Sequence, residues 1–239
     1  MKMRIIPNSP AILIGGRCRK LLIADLHLGL VSFYDLKLIR KLKELASKTK
    51  ADEVIIVGDL KHKIGESQRI NRIIQSLEFR VTLVKGNHDG GINGIEVFSS
   101  RGIRLGKIGV FHGHAKPSED VMEADILIFA HAHPSVLIPD YIGGNKIQVW
   151  LFGEFEDKKI IVMPSFNDLC SSTPINLEKP VGVMFKMWNY EDAEAVTLDG
   201  TLLGKIKFLK EYIRYDDEAG DSRANAMMKP GVSDLNFIN

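Results

Sequence analysis

Short apolar runs, most of them stopped by a histidine, a carboxylate or a turn residue, constrain this chain more than any other feature. KLLIAD, EVIIVGD, RVTLVKGN, KIGVFHG, DILIFAH, KIQVWLF, KKIIVMP and VGVMFKM are rich in leucine and β-branched residues, and each predicts one buried strand. Between the first two, SFYDLKLIRKLKELASKTK sets Leu38, Leu42, Leu45 and Ala46 on one helical face, with Ser32 and Asp35 spaced as a capping box. A second helix is predicted from Glu66 to Glu78, with Ile70, Ile73, Ile74 and Leu77 on its apolar side. The amino-terminal part therefore reads as α/β. After Phe129 the helix signals fade and a second, strand-rich sheet is expected. Without a Pro-, Gly- or Ser-rich linker or an internal repeat, one domain is expected over residues 1–212. Residues 213–239 mix charges, Gly and Pro without period and are expected to form a partly disordered tail.

Composition removes several classes. Of 239 residues, 45% are hydrophobic and 26% charged, which excludes a largely disordered or fibrous chain. Thirty-two basic against 30 acidic residues leave a net charge of +2, so the broad basic footprint of a nucleic-acid wrapper is missing. Two cysteines, Cys18 and Cys170, cannot build a disulfide framework; they suit a reducing cytosol and read as bystanders. In MKMRIIPNSPAILIGG the stretch Pro7 to Pro10 interrupts what a signal peptide would need as a continuous apolar core. No run approaches the roughly 20 apolar residues of a membrane span. The expectation is a cytoplasmic protein without a membrane partner.

All seven histidines sit within a few residues after an apolar run. ADLHLG carries Asp25 and His27, VGDLKH carries Asp59 and His62, and KGNHDG carries Asn87, His88 and Asp89. VFHGH adds His112 and His114, and ILIFAHAHP adds His131 and His133. Any one of these histidines would read as a loop residue satisfied by a hydrogen bond. As a set they converge, because α/β sheets bind ligands in the crevice outside the carboxyl ends of their strands. Imidazoles, carboxylates and an amide oxygen without a thiolate describe a site for manganese, iron, nickel, cobalt or zinc. They outnumber the needs of one ion. Two ions about 3.5–4 Å apart would use them and would need a carboxylate between them, for which Asp59 is the candidate.

The ordered blocks DLH, GDLKH, GNHD, HGH and AHAH resemble the five signature blocks of the calcineurin-like metallophosphoesterases, among them the archaeal phosphoesterases of the ICC type. The likeness runs from about residue 23 to residue 134. It implies an α/β/β/α sandwich of two mixed sheets flanked by helices, and a two-metal hydrolase. One metal would be held by Asp25, His27 and His133, the other by Asn87, His112 and His131, with Asp59 bridging. Residues two apart on an extended segment point the same way, so His131 and His133 are expected to serve the two ions from one strand end. His88 would face the scissile phosphate and protonate the leaving oxygen, and Asp89 would orient it. The last block usually begins with Gly; Ala130 stands there, which puts the loop geometry in question.

The chemistry so implied is phosphate-ester hydrolysis by a hydroxide on two divalent ions, manganese first among them, since such a pair lowers the pKa of water from about 15.7 to about 7. A diester substrate is expected, with nucleotides and nucleic acid as candidates. A DNA-repair nuclease and a non-catalytic scaffold of the same fold are the alternatives, and a homo-oligomer is compatible with the sequence. His62 and His114 are left between a substrate contact and an exposed loop position. Lys61, Lys63, Lys85 and Lys116 read as solvated loop charges able to attract phosphate. Gly58, Gly86 and Gly113 mark sharp turns. The segment MPSFNDLCSSTPIN, residues 163–176, is expected to border the cleft, with Asn167 within reach of it.

Overall fold

Alternation along the central strands decides which residues lie in which layer. The protein, a computed structural model, is described over residues 2–63, 65–140 and 144–213. The chain begins with β1 (Lys2–Ile5), β2 (Ala11–Gly15), β3 (Lys20–Ile23), α1 (Asp35–Thr49), β4 (Glu53–Val57), α2 (Ser67–Gln75), β5 (Arg80–Val84) and β6 (Glu96–Phe98). These six strands form one sheet in sequence order, antiparallel from β1 to β3 and parallel from β3 to β6. The second half runs β7 (Ile103–Leu105), β8 (Ile108–Val110), α3 (Glu119–Met122), β9 (Ile126–Phe129), β10 (Pro134–Ile138), β11 (Asn145–Phe155) and β12 (Lys158–Val162). It continues with β13 (Thr173–Pro174), α4 (Met184–Met187), β14 (Glu194–Thr197) and β15 (Leu202–Lys205), and the described residues end in a helical stretch over 206–213. Its sheet is ordered β13-β10-β11-β12-β9-β8-β7, with β14 also on β11 and β15 beyond it, and β8, β9 and β12 run parallel.

On β3 and β4 the residues Leu21, Ile23, Val54 and Ile56 pack outward against Leu38, Leu42 and Ile70 of the helices. Their neighbours Leu22, Ile55 and Val57 point the other way, onto Val110, Ile128, Trp150 and Ile161 of the second sheet. The far face of that sheet, with Leu127, Phe129, Leu151 and Val162, is covered by Met184, Phe185 and Trp188. The expected sandwich of two mixed sheets flanked by helices is therefore the observed one. No helix of the described residues is long and apolar enough to cross a membrane.

Three local readings need correction. VGVMFKM is not a strand: Gly182, at φ +118°, turns the chain, the amide of Val183 is held by the Gly113 carbonyl at 2.9 Å, and the helical turn α4 follows. Its Met184 and Phe185 cap the second sheet's outer face instead of joining it. Ser32 and Asp35 form no capping box, since α1 begins after Tyr34 and has no side-chain cap. The buried Asp35 carboxylate instead accepts the Gly29 amide at 2.9 Å and pairs with Arg69 of α2. The amino terminus, with no strand among the predicted runs, supplies β1 and β2. Of the predicted tail, Ile213 is buried and helical, and residues 214–239 lie outside the described residues.

Leu22, fully buried between the sheets, tests the central core. Leu22→Ala should lower the unfolding free energy of the chelator-treated protein by about 2–5 kcal/mol, read as a shift in urea midpoint at constant slope.

Candidate metal centre

The parallel strands β3, β4 and β5 end on the same side of their sheet, and the chain stays paired beyond them. The amides of Asp25, His27 and Leu28 donate to the carbonyls of Gly58, Asp59 and Leu60 at 3.1, 2.8 and 2.9 Å. In the second sheet the amide of Ala130 donates to the His112 carbonyl at 3.0 Å, continuing the pairing of β8 with β9. Both sets of strand ends meet: Nε2 of His112 lies 2.9 Å from Oδ1 of Asp25, and both side chains are fully buried.

The backbone carries its own signal. Among the described residues eight non-glycine residues have positive φ, and five of them are Asp25, His27, Asp59, His131 and His133. A left-handed backbone at an L-residue costs on the order of 1 kcal/mol or more and persists where surrounding structure imposes it, commonly at functional sites. This revises the expectation for His131 and His133. They follow β9 on left-handed backbone at φ 71° and 42°, not on an extended strand. Ala130 before them is not among the positive-φ residues, so the missing Gly leaves no strain there. Gly86 is required for a different reason: a Cβ on it would collide with the Asp59 carboxylate and amide.

Two groups of ligand atoms, each within 4.8 Å of one another, share a carboxylate: Asp25, His27 and Asp59 in one, Asp59, His112 and His131 in the other. Nε2 of His27 and of His112 lie 3.6 and 3.7 Å from Oδ2 of Asp59. Buried Nε2 atoms of His27 and His133 have no hydrogen-bond partner. A buried polar atom without a partner carries a desolvation cost, and a cation accepting those lone pairs would remove it. The residues present therefore fit a divalent cation. Nδ1 of His133 donates to the carbonyl of Ser171 at 2.9 Å, which fixes the ring's orientation and leaves Nε2, 3.4 Å from Oδ1 of Asp25, as the atom on which a cation would replace the proton.

Electrostatics agree with that use. Burial opposes the Asp25 charge, but His133 and His112 outweigh it and hold the carboxyl well below the usual carboxylate range. Burial pushes Asp59 up, against the pull of His112. Burial also pushes His27 down to about 3 and His131 down to about 4, so both rings are neutral near pH 7, the form that binds a cation. For His133 burial is overcome by Asp25, which raises the ring to about 9.

A cleft of about 220 Å³ is lined by His27, Asp59, His62, Asn87, His88, His131 and His133, together with Leu30, Cys170 and Ser171. Larger hollows of about 510 and 490 Å³ lie elsewhere and are lined by carboxylates without a histidine. Asn87 stands exposed at the rim. His88 donates from Nδ1 to the His62 carbonyl at 2.7 Å, leaving Nε2 free, 4.0 Å from Oδ2 of Asp59. That carbonyl, and not Asp89, holds the ring. The buried Asp89 carboxylate accepts the amides of Gly86 at 2.8 Å and Lys61 at 3.3 Å, tying two ligand loops together. His62 stacks on His88 with centroids 5.6 Å apart. His114 does not line the cleft, and its Nδ1 lies 2.9 Å from Nδ1 of His112.

Lys61 is not a solvated charge: it is fully buried, with its ammonium on the Lys63 carbonyl at 3.1 Å. Lys63, Lys85 and Lys116 are exposed. The loop of residues 163–176 does border the cleft, but Asn167 braces it, donating to the Leu26 carbonyl at 2.9 Å and accepting the Leu169 amide at 3.0 Å. The residues that reach the cleft from this loop are Cys170 and Ser171, which follow no apolar run and so gave no signal in the pattern.

Protons and cations compete for these rings, and the sign can be worked out for the cation-free protein. Between pH 6.5 and 5 the unfolded chain charges His27 and His131 while the folded state keeps them neutral, so it is the unfolded state that takes up protons. His114, pushed down to about 4 by burial, adds to this, whereas His133, already charged in the folded state, opposes it only slightly near pH 6.5, where the unfolded ring is still filling. The denaturation midpoint of chelator-treated protein should therefore fall from pH 6.5 to 5, and the fall should shrink in His27→Gln.

A family model described as calcineurin-like phosphoesterase matches residues 19–162. No curated protein matches. Among solved structures, the Pseudomonas putida nuclease MPE is similar at a TM-score of 0.54 and 16% identity, over 81% of this chain and 91% of that one. YfcE, a phosphoesterase from E. coli, aligns at a TM-score of 0.39 and 16% identity, over 78% of this chain and 97% of that one. At 16% identity the nuclease speaks for the fold alone, whereas the family match covers more than half of the sequence and contains every block of histidines and carboxylates described above. The chain belongs to the calcineurin-like phosphoesterase family.

Proposed function

We propose that residues 1–212 act as one unit that hydrolyses phosphodiesters with two divalent cations. One cation is held by Asp25, His27 and His133, the other by Asn87, His112 and His131, and Asp59 is shared. The observation that carries this reading is the membership of Asp59 in both ligand groups, beside ring nitrogens that are buried and unpartnered. Manganese is the first candidate, with iron, nickel, cobalt and zinc compatible with the same donors. When bound, such a pair supplies a water acidified to a pKa of about 7 and neutralises charge on the phosphate oxygens.

The chain's own residues do the rest. His27 and His131, neutral near pH 7, present lone pairs without having to shed a proton. Asp89 fixes the Gly86 and Lys61 backbone and so the loop that carries Asn87 and His88. His88, held at Nδ1 by the His62 carbonyl, offers a proton to the departing ester oxygen from Nε2 when the ring carries a proton on both nitrogens. A diester is favoured over a monoester because no Lys or Arg is among the described residues lining the cleft. The extra charge of a monoester dianion calls for a cationic clamp that a diester does not need.

With manganese, iron, nickel, cobalt or zinc supplied in turn, bis-aryl phosphate, a cyclic nucleotide and single-stranded DNA should turn over faster than an aryl monophosphate. Failure of every diester with every metal would overturn the reading, and selective cleavage of DNA would narrow it to a nuclease. His88→Ala should lower kcat about 10²- to 10⁴-fold on a diester with a poor leaving group while metal content is kept. Asp59→Asn should reduce the metal bound per chain below two, measured by elemental analysis. A chain that binds two ions and hydrolyses nothing would instead be a scaffold.

A further inference from the structure

Cys170 is the one thiol at the cleft, and its surroundings point to a ligand. Its sulfur and the ring nitrogens of His27 and His133 lie within 4.8 Å of one another. The Nε2 atom of His27 is buried without a hydrogen-bond partner, on a side chain only 7% exposed, while Nε2 of His133 faces Oδ1 of Asp25 at 3.4 Å. The unpartnered His27 nitrogen is an observation independent of the cysteine. The loop that carries the thiol is braced rather than loose. The amide of Phe166 donates to the Ala24 carbonyl at 2.8 Å, Asn167 ties the loop to Leu26, and Tyr34 hydrogen-bonds Asp168 at 2.8 Å. The Cys170 amide donates to the Asn167 carbonyl at 3.1 Å, and its sulfur sits 4.0 Å from the Asp25 carbonyl oxygen. No disulfide partner is present, since Cys18 is free and exposed.

We propose that Cys170 is a thiolate ligand of the cation held by Asp25, His27 and His133, and that it biases this position toward zinc and cobalt over manganese. This rests on the metal-centre reading above. As the sulfur–metal bond forms, the thiol releases its proton to solvent, because a coordinating cation deprotonates a thiol outright. A mixed set of imidazole, carboxylate and thiolate suits a borderline ion better than a hard one, whereas the position formed by Asn87, His112 and His131 has only nitrogen and oxygen donors. The sulfur thus distinguishes two positions that otherwise share Asp59.

The test uses the cobalt-loaded full chain in a Cys18→Ala background, read by absorption. A sulfur-to-cobalt charge-transfer band in the near ultraviolet, lost in Cys170→Ala and Cys170→Ser while the visible ligand-field bands remain, supports the proposal. Ligand-field bands with no charge-transfer band overturn it and leave the metal centre standing, whereas no cobalt uptake at all overturns both. By competition dialysis, Cys170→Ala should weaken zinc binding about tenfold or more and leave manganese within twofold. An equal loss for both ions overturns the selectivity. Should the variants fail to fold, alkylation of Cys170 in the Cys18→Ala protein decides: zinc must slow it, and an unchanged rate overturns the proposal.

Discussion

The contact between Asp25 and His112 joins the two halves of this protein at the point where its chemistry converges. One residue ends a strand of the first sheet, the other follows a strand of the second, and both are fully buried. A carboxylate in that position is costly unless paired. Here imidazoles from the second sheet pair it, and its charge in turn raises His112 and His133 against the effect of burial. The sandwich therefore has a polar end as well as an apolar middle. Layers of Leu22, Ile55, Val110 and Ile128 hold the sheets together, and the edge of that core is where carboxylates and rings are forced into contact.

Holding them there requires a backbone that the residues would not choose. Asp25, His27, Asp59, His131 and His133 all adopt left-handed conformations. The strand pairing that continues past the sheet, from Asp25 to Gly58 and from His27 to Asp59, keeps them so. Gly86 allows the Asp59 loop and the Asn87 loop to close on one another. Packing energy from the core is in effect transferred to the site, where it maintains strained turns and unpartnered ring nitrogens that no isolated loop would sustain.

The second sheet contributes more than His112, His131 and His133. Its loop of residues 163–176 reaches across to the Ala24, Asp25 and Leu26 backbone and brings a thiol and a carbonyl to the cleft. The Ser171 carbonyl fixes the His133 ring as the His62 carbonyl fixes His88. Two of the rings are thus oriented by main-chain oxygens, which no residue type announces.

Much was legible in the sequence because it is periodic or chemically marked. Continuous apolar runs define β3, β4, β5, β8, β9 and β12, the face of Leu38, Leu42 and Leu45 defines α1, and the blocks after the strands name the histidines and carboxylates. Those signals are local, and they determined the fold class and the composition of the candidate site. The tertiary structure alone decided what depends on distant segments meeting. VGVMFKM became a cap because Gly182 turns it onto the sheet, Asp35 became a partner of Arg69 because α2 packs beside it, and Asp89 serves backbone amides where a ring was expected. Lys61 and Cys170 look like bystanders in the sequence, but burial and neighbours define a side chain's chemistry. Those are set by contacts between residues far apart in the chain, such as Cys170 with His27, and residue spacing along one strand does not encode them.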